Sequence, residues 1–220
     1  MARAWLVDFD DTLATGPTTW GYQQALPKLI RDHKLPVVPD RLERALLEAQ
    51  AEANLTVDLD RVLGRLFEVM QWPQQLQHTL LADVQDNYTP QLFDDAIPFL
   101  QNLRRAEHFV IIVSNNPRMP GHAQRLGVSD WTDELVTPAM FPGTKPKPDR
   151  GIWDRLRQAF PSLDGMDAAV VGDDPWSDLA FAEVCQMSAW LLDRFDRFGA
   201  VQLSPNARRV QSLLQIPVVS

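Results

Sequence analysis

The feature that most constrains this chain is a set of short apolar runs, at residues 4–7, 109–113, 135–137, 168–171 and 189–192. Each is too brief for a helix and apolar on consecutive positions, so both faces of the resulting strand need cover. Runs of that kind, separated by helical periodicity, predict a parallel sheet with helices on both sides, an α/β fold of Rossmann-like layout. The intervening helices are expected at 95–105, at 119–126 ending on Gly127 as a C-cap, at 148–160 and at 178–185. Ser204 followed by Pro205 reads as a helix start, so a terminal helix is expected over 206–214.

Residues 15–91 have a different pattern. They contain no convincing strand and read as consecutive amphipathic helices at 20–32, 40–53, 58–70 and 73–87. The breaks fall at Leu35-Pro36-Val37-Val38-Pro39 and at Trp72-Pro73, and Pro27 weakens the first helix. The expected organisation is a catalytic core made of 1–14 and 92–220, with a helical cap of 15–91 inserted after the first strand.

Of the 220 residues, 45% are apolar and 23% charged, values that suit a folded, water-soluble body. The formal net charge of −8 argues against nucleic acid as a partner, because phosphate backbones are held by clustered Lys and Arg. Small phosphorylated substrates are compatible with it, since a metal ion or a few local cations override the global charge. Cys185 is the only cysteine, which rules out an intrachain disulfide and a cysteine-based zinc site. The N-terminal apolar run is too short for a signal peptide, and nowhere do about 18 apolar residues run together. A cytoplasmic location is the expectation.

In an open parallel sheet, sites form beyond the carboxyl ends of the strands. There the chain carries Asp8-Phe9-Asp10-Asp11-Thr12, then Ser114-Asn115-Asn116, then Gly172-Asp173-Asp174-Pro175-Trp176-Ser177-Asp178. Three or more carboxylates at one sheet edge repel one another unless a cation is present, and oxygen-only ligation favours magnesium over zinc. For Asp173 or Asp174 taken alone, helix capping is as good a reading as metal binding. Two carboxylates one residue apart, Asp8 and Asp10, suit a nucleophile beside a general acid/base. In Lys145-Pro146-Lys147-Pro148-Asp149, Lys145 is the candidate to neutralise a phosphoryl group, and Lys147 reads as an exposed loop lysine.

The ordered set of Asp8-Phe9-Asp10-Asp11-Thr12-Leu13, Ser114 after Val110-Ile111-Ile112-Val113, Lys145, and Gly172-Asp173 followed by Asp178 resembles the haloacid dehalogenase superfamily, in its phosphatase-like branch with a helical cap. The resemblance covers essentially the whole core. It implies that Asp8 is nucleophile and magnesium ligand, that Asp10 is general acid/base and ligates through its carbonyl, and that Asp173 completes the protein ligands with support from Asp178. It also implies that Ser114 and Lys145 hold phosphoryl oxygens, with Thr12 and Asn115 as further phosphate-binding positions. Asp10 favours an oxygen leaving group, because members that release halide usually lack that aspartate. Asp11 stands where many members have glycine.

The expected activity is therefore magnesium-dependent hydrolysis of small phosphorylated metabolites through an aspartyl phosphate, with the cap closing over substrate. A phosphomutase of the same superfamily and a catalytically idle binding protein are the alternatives. His33, His78, His108 and His122 read as surface or packing residues. Trp20, Tyr22, Trp176 and Arg118 lie close enough in sequence to the loops to meet a leaving group.

Overall fold

The computed structural model describes residues 3–53 and 58–218. In chain order the elements are β1 (Arg3–Val7), α1 (Pro17–Trp20), α2 (Leu26–His33), α3 (Pro39–Ala53), α4 (Leu59–Met70), α5 (Gln75–Asn87), α6 (Ala96–Arg105), β2 (Phe109–Val113), α7 (Met119–Arg125), β3 (Glu134–Val136), α8 (Gly151–Ala159), β4 (Asp167–Gly172), α9 (Ala180–Val184), β5 (Ser188–Leu192) and β6 (Ala207–Val210). Among the described residues the six strands are all parallel, in the order β3-β2-β1-β4-β5-β6. This is the α/β Rossmann-like fold expected from the apolar runs.

Strand periodicity explains why the runs are apolar on consecutive residues. Trp5 and Val7 of β1, Val110 and Ile112 of β2, and Ala169 and Val171 of β4 pack on one side with Phe99, Leu100 and Leu103 of α6 and Met119 and Ala123 of α7. The alternating residues Ala4 and Leu6, Ile111 and Val113, and Ala168 and Val170 pack on the other side with Ile152, Trp153 and Leu156 of α8 and Phe181 and Ala182 of α9. The central position of β1, between β2 and β4, brings the loops after these three strands to one edge of the sheet.

The last strand corrects the expectation of a terminal helix at 206–214. Ala207–Val210 pairs with β5, from Ala189↔Ala207 to Leu192↔Val210, and a short 3-10 turn, Leu213–Gln215, follows among the described residues. Ser204 closes a turn through its carbonyl, which accepts from the Ala207 N–H at 3.0 Å. An edge strand needs only one apolar face, and here two arginines occupy its middle. Arg208 stacks over the Trp190 ring at 5.5 Å, while Arg209 donates to the carbonyls of Phe198, Gly199 and Val201.

The chain divides into two compact units, Met1–Thr15 with Gln91–Ser220, and Gly16–Pro90. The second unit is helical and has its own core, including Leu26, Leu29, Val62, Leu66, Phe67, Met70, Trp72 and Val84. A stretch of π-helix, Gly21–Ala25, joins α1 to α2, so Pro27 stands in the first turn of a new helix, where a missing N–H is tolerated. The chain leaves and re-enters the first unit side by side: the Thr15 N–H donates to the Gln91 carbonyl at 2.9 Å and the Gln91 N–H to Thr15 Oγ1 at 3.0 Å. Among the described residues, no helix is long and apolar enough to cross a membrane.

Candidate active site

The loop after β1 begins at Asp8, whose N–H donates to the Val171 carbonyl of β4 at 2.8 Å, extending the sheet register by one residue. Asp11 then adopts φ +57°, a left-handed conformation that aspartate tolerates better than most residues and that glycine adopts freely. The turn closes through Leu13 and Ala14 N–H groups, both donating to the Phe9 carbonyl. Phe9 and Leu13 are fully buried and anchor the loop in the core.

Lys147 is the centre of the site. Its Nζ donates to Asp8 Oδ1 at 2.7 Å, to Asp178 Oδ1 at 2.5 Å and to the Val113 carbonyl at the end of β2 at 2.9 Å. The side chain is 3% exposed, so the expectation of an exposed Lys147 is corrected. Lys145, the expected phosphate-binding lysine, is exposed at the surface. The reason is Asn115, whose Oδ1 accepts from the Lys147 N–H at 2.7 Å and whose Nδ2 donates to the Lys147 carbonyl at 3.3 Å. That grip selects which lysine enters. In the protein alone the Asn115 side chain is engaged with the Lys147 backbone and, through Nδ2, with Ser177 Oγ at 3.4 Å.

The loop after β4 gives its carboxylates different partners. Asp174 caps the turn that follows, accepting from the N–H groups of Trp176 at 2.8 Å and Ser177 at 3.3 Å. Asp173 faces the site. A π-helical turn over Pro175–Leu179 then swings Asp178 inward, where it is 1% exposed and its Oδ2 accepts from the Asp174 N–H at 3.2 Å. Gly172 makes this possible, because a Cβ there would lie 2.1 Å from the Asp178 Cγ.

Asp8, Asp173 and Asp178 each offer one carboxylate oxygen within 4.8 Å of the others. In the protein alone, burial first, then repulsion from Asp178 and Asp10, hold the Asp8 carboxyl well above its ordinary value despite Lys147. Burial, followed by repulsion from Asp11, Asp8 and Asp178, does the same to Asp173, although Arg197 donates to its Oδ2 at 3.0 Å. Burial alone would lower the Lys147 pKa, but Asp178 and Asp8 raise it, so the ammonium keeps its proton. Negative charge thus outweighs the cations supplied, and an all-oxygen donor set under those conditions fits a hard divalent ion such as magnesium.

Asp10 is separate from that trio. Ser114 Oγ donates to Asp10 Oδ2 at 3.1 Å, Asn116 Nδ2 approaches Oδ1 at 3.4 Å, and Ser114 itself is fixed by its N–H on the Val136 carbonyl at 3.1 Å. Thr12 is fully buried; its hydroxyl has no partner among the described residues, and its carbonyl accepts from Arg194 at 2.9 Å. Sequence reasoning missed Lys147, Asn116, Arg194 and Arg197. For the lysine no local signal existed, since both lysines precede a proline. His108 and His122 are buried packing residues, and Trp176 is exposed.

The model of the haloacid dehalogenase-like hydrolases matches residues 2–185. No curated protein matches the chain. Among solved structures, the HAD-hydrolase YfnB of Bacillus subtilis, described as bound to magnesium, superposes with a TM-score of 0.69 at 17% identity, over 97% of this chain and 96% of that one. A 2-haloacid dehalogenase from Pseudomonas syringae gives 0.56 at 22% identity, over 98% and 96%, and a HAD phosphatase from Thermococcus onnurineus 0.57 at 21%, over 98% and 95%. At these identities the likeness is one of fold, and it spans proteins named for two different reactions.

Proposed function

The chain belongs to the haloacid dehalogenase-like hydrolases, and from that premise we propose that it is a magnesium-dependent phosphohydrolase of small phosphorylated metabolites, with Asp8 as nucleophile and Asp10 as general acid/base. The observation that carries this reading is the contrast between the two carboxylates. Asp8 lies among Lys147, Asp173 and Asp178, whereas Asp10 is held apart by Ser114 and Asn116. A halide leaving group requires no proton; an alkoxide does, and in this reading Asp10 supplies it.

Asp8 attacks phosphorus, and the Asp10 carboxyl gives its proton to the departing ester oxygen. Asp10, now a carboxylate, then takes a proton from the water that attacks the aspartyl phosphate, returning Asp8 and releasing inorganic phosphate. As Asp8 becomes an acyl phosphate it loses the charge that engages one Lys147 N–H, which frees that donor for a phosphoryl oxygen while Asp178 and the Val113 carbonyl keep hold of the ammonium. Ser114 is assigned a second phosphoryl oxygen. Asp8, Asp173 and Asp178, with the Asp10 carbonyl, would hold magnesium, which supplies charge neutralisation at the phosphoryl group. We assign the helical unit Gly16–Pro90 the role of a cap that selects the leaving group.

The test is phosphate release from a panel of phosphorylated metabolites by the purified protein, with magnesium and with EDTA. Sustained, magnesium-dependent release is expected. Halide release from 2-haloacids without phosphate release would replace this reading with a dehalogenase, and phosphoryl transfer between sugar positions without release would replace it with a mutase.

A further inference from the structure

Arg194 lies just beyond β5, outside the matched residues 2–185, and is built into the loop that carries Asp8. Its Nη1 donates to Asp95 Oδ2 at 2.9 Å and its Nη2 to Asp95 Oδ1 at 2.7 Å, a bidentate pair. The same Nη2 donates to the Thr12 carbonyl at 2.9 Å, four residues from the nucleophile. The guanidinium also sits over the Phe93 ring, 4.2 Å from its centroid. Both charged side chains are about one-tenth exposed.

Asp95 occupies the N-cap position of α6, yet its side chain makes no capping bond. Its carboxylate instead accepts from Arg194, from Ser212 Oγ at 2.7 Å and from the Leu213 N–H at 2.9 Å. Four separate stretches of chain, at Thr12, Asp95, Arg194 and Ser212-Leu213, therefore meet at one buried ion pair. A residue in capping position that leaves its own helix uncapped marks a demand from elsewhere. A buried pair of this kind adds little net stability over an apolar substitute, so its value is in fixing one geometry.

We propose that Asp95 and Arg194 are positioning residues for the site: together they clamp the Thr12 carbonyl and so fix where Asp8 and Asp10 stand, a role that rests on the phosphohydrolase reading above. The forked guanidinium holds Asp95 and Thr12 at the same time. A lysine keeps the charge but not the fork.

The experiment uses the full chain with Arg194→Lys and, independently, Asp95→Asn, at a temperature well below either variant's Tm. Turnover of a chromogenic phosphate ester at saturating magnesium is measured alongside amide hydrogen exchange of residues 9–14. We expect kcat to fall roughly tenfold or more with KM little changed, as a displaced catalytic group implies. Exchange at 9–14 should accelerate while that of β2 stays the same. A lower Tm with unchanged kcat and unchanged exchange at 9–14 would overturn the proposal and leave the pair a purely structural role. If the parent protein releases no phosphate from any ester, the phosphohydrolase reading fails, and the exchange measurement still decides whether the pair holds the loop. Should Asp95→Asn not fold, the conservative Arg194→Lys carries the test alone.

Discussion

Asn115 holds Lys147 by both polar groups of its backbone, accepting from the N–H at 2.7 Å and donating to the carbonyl at 3.3 Å, and this grip aims the ammonium at Asp8. Because Lys145 is exposed, the two lysines should behave oppositely. Lys147→Ala is expected to lower kcat by roughly 10²-fold or more, as loss of a charge-stabilising donor does. Lys145→Ala, a surface change, should stay within about twofold. Phosphate release under magnesium saturation measures both, and the reverse ranking would restore Lys145 to the site.

The raised carboxyls of Asp8 and Asp173 give a pH prediction with a definite sign. Their folded-state values lie above 3.8, so the folded protein keeps protons that the unfolded chain has released. Their contribution to stability therefore falls as pH rises from that value through the raised ones. A cation binds only the ionised forms, so the magnesium-induced rise in Tm should be larger at about pH 7.5 than at about pH 5. Asp8→Asn should raise Tm in EDTA, because it removes an ionised group that folding penalises, and should shrink the magnesium-induced rise. A magnesium shift independent of pH and of Asp8 would contradict the assigned ligands.

Much of the fold was legible because β1, β2 and β4 are covered on both faces, which leaves a continuous apolar signature. β6 was not, because Ala207-Arg208-Arg209-Val210 is an edge strand with one apolar side, and its pairing with β5 is a tertiary event that Ser204-Pro205 does not announce. At the site, the position of Asp8, Asp10, Ser114, Asp173 and Asp178 after strands was legible, and the strand order brings those loops to one sheet edge. The choice of lysine was not. Lys145 and Lys147 share the same local pattern, and the residue that separates them, Asn115, is 32 positions away.

Gly172 should tolerate nothing larger. A Cβ would meet the Asp178 Cγ and Oδ2, each at 2.1 Å, and the side chain's own Cβ at 2.5 Å, so Asp178 would have to leave Lys147. Gly172→Ala is expected to lower kcat by roughly 10²-fold, the scale of an ångström-sized misplacement. Calorimetric titration with magnesium should show weakened binding in parallel. Unchanged affinity would mean that Asp178 does not support the metal site.

Asp11 stands at φ +57° and adds to the repulsion on Asp173. Glycine relieves a left-handed strain of about 1 kcal/mol, and its greater freedom in the unfolded chain costs about as much. The lost repulsion decides the balance, so Asp11→Gly should raise Tm modestly with kcat retained. A large fall in kcat would give Asp11 a chemical role that its position does not suggest.

In the proposed reaction Asp8 carries the phosphoryl group. Acid quenching during turnover of a ³²P-labelled ester, followed by peptide mapping, tests it directly. Acid-stable, hydroxylamine-labile label is expected on the peptide containing Asp8 and absent from Asp8→Asn. Undiminished phosphate release by Asp8→Asn, or label confined to another peptide, would contradict it.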